Sequence, residues 1–161
     1  MAVEHDDDLF APALEGRRRR VLEQGERPWR LSSQFYVAFF GGALAVTAIA
    51  WLNARRLGVA RTKLRLIPLV GLAGLIATVA VIEIFAGGDP GESQRILARV
   101  VALAVGGVLY GLQVSADRVY HAYAEGDEDA IYDSLWRPGL AATIGLGIVQ
   151  ALLVVGALEL V

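Results

Sequence analysis

Four long apolar runs constrain this chain more than anything else in it: Phe35 to Leu52, Leu66 to Ala86, Ile96 to Val114, and Leu140 to Val161. Each is about 18 residues or longer, the length that carries a helix across roughly 30 Å of hydrocarbon. Lipid offers the backbone no hydrogen-bond partners. Each run must therefore close its own N–H and C=O groups, which a helix does within one segment and a lone strand does not. The expected fold is all-α: an integral membrane four-helix bundle with spans near 35–53, 66–86, 95–114 and 139–160, preceded by a charged tail over 1–33. A hydrophobic content of 55% and a mean hydropathy of +0.49 agree with one membrane domain that uses almost the whole chain.

No cysteine is present, which excludes disulfides, thiolate metal sites and cysteine nucleophiles. The first apolar run follows a long charged segment and is too long for a signal-peptide core, so it is expected to stay as a helix. Lys63 is the only lysine among 15 basic residues, and Ala, Gly and Val are abundant. That bias suits a GC-rich prokaryotic genome, and the expected location is a cytoplasmic membrane.

Charge flanks the first run on both sides. The tail holds Asp6, Asp7 and Asp8, then Arg17, Arg18, Arg19 and Arg20, then Arg27 and Arg30, and this mixture predicts disorder. Glu15, Glu23 and Glu26 cancel most of its field, so nucleic acid is not an expected partner. The candidates for lipid headgroups are Arg17 to Arg20 with Arg55 and Arg56, each basic residue near the surface contributing about 1 kcal/mol. The loop after the first run carries Arg55, Arg56, Arg61, Lys63 and Arg65, a cytoplasmic signature under the positive-inside rule. A straight first helix would put tail and loop on opposite faces, so the two basic segments oppose one another and orientation stays unresolved. Four crossings put both termini on one face, and a re-entrant segment would break that inference.

Trp29 and Trp51 are expected to bracket the first helix as interfacial anchors, with Trp136 and Pro138 marking the start of the fourth. Gly87 to Gly91 form a turn, making helices two and three a tight antiparallel hairpin. Helix three should run unbroken from Ser93 to about Ala124 and project from the membrane. Along it Arg99, Leu103, Gly106, Tyr110, Gln113, Asp117 and His121 fall in one narrow arc, a polar seam expected to face inward. The acidic loop Glu125 to Asp129, with Ile131, Tyr132, Leu135 and Trp136, predicts an interfacial segment docked on the basic loop through pairs such as Arg61 or Lys63 with Asp127, Asp129 or Asp133. It lacks the spacing of a calcium loop, so no metal is expected.

No charge lies at mid-depth. Glu83 and Arg99 sit at similar depths across the hairpin and are expected to form an intramembrane salt bridge. Thr47, Thr78 and Gln150 are the neutral midplane groups, contributing roughly 0.6 to 2 kcal/mol each as interhelical glue. Gly41, Gly42, Gly71, Gly74, Gly107, Gly111, Gly145 and Gly147 allow close helix contact, within one chain or between chains. No catalytic motif and no cofactor motif is present; His121 with Asp117 lacks a nucleophile or pocket, so an enzyme is not expected.

The segment Phe40-Gly41-Gly42-Ala43-Leu44-Ala45, then Asn53, then Leu57-Gly58, resembles a type of small bacterial four-span membrane protein marked by GGPLA…N…LG. Gln113, His121 and the Ser134-x-Trp136 end resemble the same type. Ala43 stands where that type has proline, and the charged tail is an extension. The resemblance implies the four-span architecture and no particular activity. The expected role is structural or interactive, either self-association or service as an accessory subunit of a membrane complex. The alternatives are a small transporter or channel-like bundle using the seam, and a lipid-binding module using the basic tail.

Overall fold

The computed structural model describes residues 26–84, 92–123 and 131–158. A 3₁₀ turn at Leu31–Ser33 leads into α1 (Gln34–Arg56), followed by α2 (Arg61–Ile84), α3 (Glu92–Tyr123) and α4 (Trp136–Leu158). All four helices are long and apolar enough to cross a membrane. The Arg17 to Arg20 run and the loop acids Asp127 and Asp129 lie outside the described residues.

The first helix is not straight. At Gly42 the backbone takes φ 78° and ψ −170°, outside the helical region and in territory open essentially to glycine alone. A straight helix would separate residues 34 and 53 by about 28 Å. Instead Gln34 Nε2 and Asn53 Nδ2 both donate to one atom, Gln113 Oε1, at 3.3 Å each. The chain folds back on itself.

Successive contacts give the directions of the two limbs. Along 34–41, Phe35 packs on Tyr110, Ala38 lies beside Gly106, and Phe39 lies under the Arg99 guanidinium, so this limb runs antiparallel to α3. Along 43–56, Ala43 sits with Val105 beside Gly74 while Asn53 reaches Gln113, so this limb runs parallel to α3. α1 is thus a helical hairpin with its tip at Gly41 and Gly42 and both open ends at one end of the bundle. Gly74, level with the tip, is about 20 Å along α2 from Arg61, with about 15 Å of helix still to come.

This overturns two expectations. Glu26 and Leu158 lie at opposite ends of the bundle, where four straight helices would have put both termini together. Trp29 and Trp51 do not bracket a span; both belong to the same end, and Trp29 is buried beneath the Arg56 guanidinium, 4.0 Å from its ring centroid.

α3 and α4 flank the hairpin, each packing on α1 rather than on the other, and α2 packs against both α1 and α3. The core follows from this arrangement: Ala38, Ala43, Val46, Ala50 and Ala54 of the hairpin meet Ile67, Val105 and Leu109, while Val37, Ala45 and Ile49 meet Leu135. Six of the hairpin's eleven buried positions are alanine or glycine, which lets two limbs fit where one helix was expected. α1 ends in a Schellman turn, in which Val59 N bonds Ala54 O at 2.9 Å and Gly58 N bonds Arg55 O at 3.2 Å, with Gly58 at φ 64°. α3 runs 32 residues, close to the length expected of it.

Candidate functional site

Three amide side chains meet at the open end of the hairpin, all fully or almost fully buried: Gln34, Asn53 and Gln113. Asn53 Oδ1 accepts the Trp29 backbone N–H at 2.7 Å, and Asn53 Nδ2 donates to the Trp29 carbonyl at 3.1 Å. Gln113 Nε2 donates to Gln34 Oε1 at 3.2 Å and to the Leu109 carbonyl at 3.0 Å. Every amide is engaged, which is the condition for burying such groups without a desolvation penalty. The cluster clamps the segment before α1 to the end of α1, and it closes the hairpin.

At the tip, the break removes the helical acceptor for the Leu44 N–H, and Gln150 Oε1 of α4 accepts that bond at 3.0 Å. Glycine at 42 cannot cap the second limb with a side chain, so a glutamine from another helix does. The fit is close, since a Cβ on Gly42 would lie 2.7 Å from both terminal atoms of the Gln150 amide. The other two midplane groups bond within their own helices, Thr47 to the Ala43 carbonyl at 2.6 Å and Thr78 to the Gly74 carbonyl at 2.8 Å.

The predicted seam divides in three. Gln113 is its buried centre, flanked by Gly106 and half-buried Leu103 and Tyr110. Arg99, at one end, is exposed and lies over the Phe39 ring at 4.9 Å. It makes no salt bridge with Glu83; among the described residues the ion pairs are those of Arg56 with Glu26 at 2.8 Å and with Asp133 at 3.6 Å. The hairpin limb supplies an aromatic face beside Arg99 that the pairing expectation did not include. At the other end, Asp117 accepts a hydrogen bond from Tyr132 Oη at 3.1 Å, and the His121 ring stacks on Tyr132.

Of the acids expected to dock this segment, Asp133 lies among the described residues, and its partner is not one of those expected. Asp133 pairs with Arg56, its backbone N–H bonds the Pro28 carbonyl at 2.9 Å, and Lys63 instead donates to Ser115 Oγ at 3.1 Å. Arg56 also donates to the Arg27 carbonyl at 2.9 Å, so this headgroup candidate is committed to the fold. Arg55 is exposed and lies over the Trp51 ring.

Two outward features remain. Between the first limb of α1 and the start of α4 lies a groove of about 820 Å³, with Arg30, Ser33, Asp133 and Ser134 at its polar end and Val37, Phe40, Leu140 and Trp136 among its apolar walls. On α3, Gly107 and Gly111 face outward, and a Cβ on either would meet nothing within 4 Å.

Gln34 and the tip geometry escaped sequence reading. The detectable signal was the adjacent glycines at the middle of an apolar run with a buried-type amide at each end. Among the described residues no cluster of metal-ligating side chains forms. No family model, curated protein or solved structure matches the chain.

Proposed function

We propose that this is a non-catalytic membrane protein that works by association within the bilayer, with itself or with another membrane chain, through the outer face of α3. The observation that carries this reading is the Gly107 and Gly111 pair. Gly41, Gly42, Gly71 and Gly74 are occupied by contacts inside the chain, whereas Gly107 and Gly111 at GxxxG spacing stand open. Exposed Val100 and Ala104 continue the same face, giving a second helix a close approach. Engagement of Thr47, Thr78, Gln150 and the three buried amides in internal hydrogen bonds weighs against a channel-like role, because a conducting path needs polar groups free to meet an ion.

The absence of native cysteine makes the test direct. Ala104→Cys in native membranes should give a dimer-sized product with a short bifunctional maleimide, and mild-detergent extraction should give a particle heavier than one chain. Gly107→Leu with Gly111→Leu should abolish both while leaving the thermal midpoint of the single chain unchanged. A wild-type particle of single-chain mass with no co-purifying protein refutes the reading.

The groove favours a second reading, binding of a membrane amphiphile with its headgroup near Arg30 and its chain along Phe40 and Leu140. Native mass spectrometry of the extracted protein should then show one retained lipid that Gly139→Leu and Leu140→Trp displace.

A further inference from the structure

The hairpin changes which charges share a face. Read as a straight helix, α1 separates Arg27 and Arg30 from Arg55, Arg56, Arg61, Lys63 and Arg65. Folded at Gly42, it brings them together, because Trp29 is bonded to Asn53 and the Arg27 carbonyl to Arg56. Arg118 joins this end, since Tyr120 packs with Leu31 and Leu57 and Lys63 bonds Ser115. Arg137 joins it too, next to Trp136 and four residues from Asp133, the partner of Arg56. Nine of the eleven basic residues in the described chain therefore lie at one end of the bundle, and only Arg95 and Arg99 lie toward the other.

We propose that α1 is a re-entrant hairpin entering and leaving the bilayer on the cytoplasmic side, that this basic end faces the cytoplasm, and that its free cations rest on the anionic headgroups of the inner leaflet. The opposition between the two basic segments disappears, because they never were on opposite faces. Lys and Arg close to the ends of membrane segments fix orientation by retention on the cytoplasmic side, and acidic residues count for little in that rule. With three crossings rather than four, the Leu158 end of α4 emerges outside. Non-helical backbone at Gly42 is tolerable within the bilayer because it is enclosed by protein, Gln150 satisfying the amide that the break exposes.

The cations divide by use. Arg56 is held by Trp29, Glu26 and Asp133, and Lys63 by Ser115. Arg61 and Arg65 are exposed on the first turns of α2, and Arg55 is exposed at the end of α1, all level with the mouth of the hairpin. An inner leaflet rich in anionic lipid presents the complementary charge at that depth. This inference is independent of the α3 association face.

Single cysteines in the native cysteine-free chain test the topology. Ser32→Cys and Ala60→Cys should both resist a membrane-impermeant maleimide in intact expressing cells and react after lysis, while a cysteine appended after Val161 should react in intact cells. Ser32 and Ala60 reacting from opposite sides would overturn the hairpin. Both reacting from outside would overturn the cytoplasmic assignment and leave the hairpin standing. For the lipid contact, the purified protein should melt higher in phosphatidylglycerol nanodiscs than in phosphatidylcholine nanodiscs, and the difference should vanish in Arg55→Gln with Arg61→Gln and Arg65→Gln. An equal midpoint in both lipids for the unaltered chain refutes that contact.

Discussion

Asn53 ties together two parts of the chain that the sequence separates by a whole apolar run. Its amide satisfies both backbone groups of Trp29 and one of the hydrogen bonds of Gln113, all in a place closed to water. Asn53→Ala leaves those groups buried without partners, at about 1 to 3 kcal/mol for each such group. We expect a marked fall in the thermal midpoint, with Asn53→Leu, which fills the volume but not the bonds, falling as well; an unchanged midpoint in both would mean that the Trp29 segment is held by packing alone.

At the scale of the element, α1 depends on its break. Gly42 occupies a backbone region costing other residues on the order of 1 to 3 kcal/mol, and it also gives Gln150 room to reach Leu44. Gly42→Ala strains the backbone and pushes the Gln150 amide off its partner, while Gln150→Leu removes the cap directly. The two substitutions disrupt one junction, so their effects on unfolding in a denaturing-detergent titration should add to clearly less than the sum of the singles. Full additivity would show that the cap and the break act separately. Proline in place of Ala43 would stand at the first position of the second limb, where a missing N–H has no helical partner to lose.

At the scale of the molecule, the hairpin acts as the central element of the bundle. α3 and α4 are held together through it, so the tip contacts with Thr143 and Gln150 and the mouth contacts with Gln113 and Asn53 govern the whole arrangement. Gly107 and Gly111 lie on the opposite side of α3 from this junction, which is why the α3 association variants should separate copies without unfolding them. The basic end collects Arg56, its acidic partners and the exposed arginines on one face, and the other end carries little positive charge.

The sequence by itself determined the helices. An apolar run long enough to reach across lipid has no alternative to helix, and the start of α4 near Pro138 and the long α3 follow from proline and the lack of breakers, whereas α2 begins at Arg61, inside the segment expected to be a loop. Gln113 was legible as the centre of a polar arc because helical period alone places it there. What the tertiary structure decided was direction. Two glycines in an apolar run are equally compatible with a straight span and with a turn, since glycine's freedom permits the break without requiring it. The choice is made by distant groups: Gln150, 106 residues from the amide it caps, and Asn53 with Gln113, which satisfy the backbone of Trp29 and the side chain of Gln34 only when the limbs lie side by side. Those bonds link residues that no local window contains, and with them went the placing of Glu26 and Leu158 at opposite ends and the sharing of one end by the two basic segments.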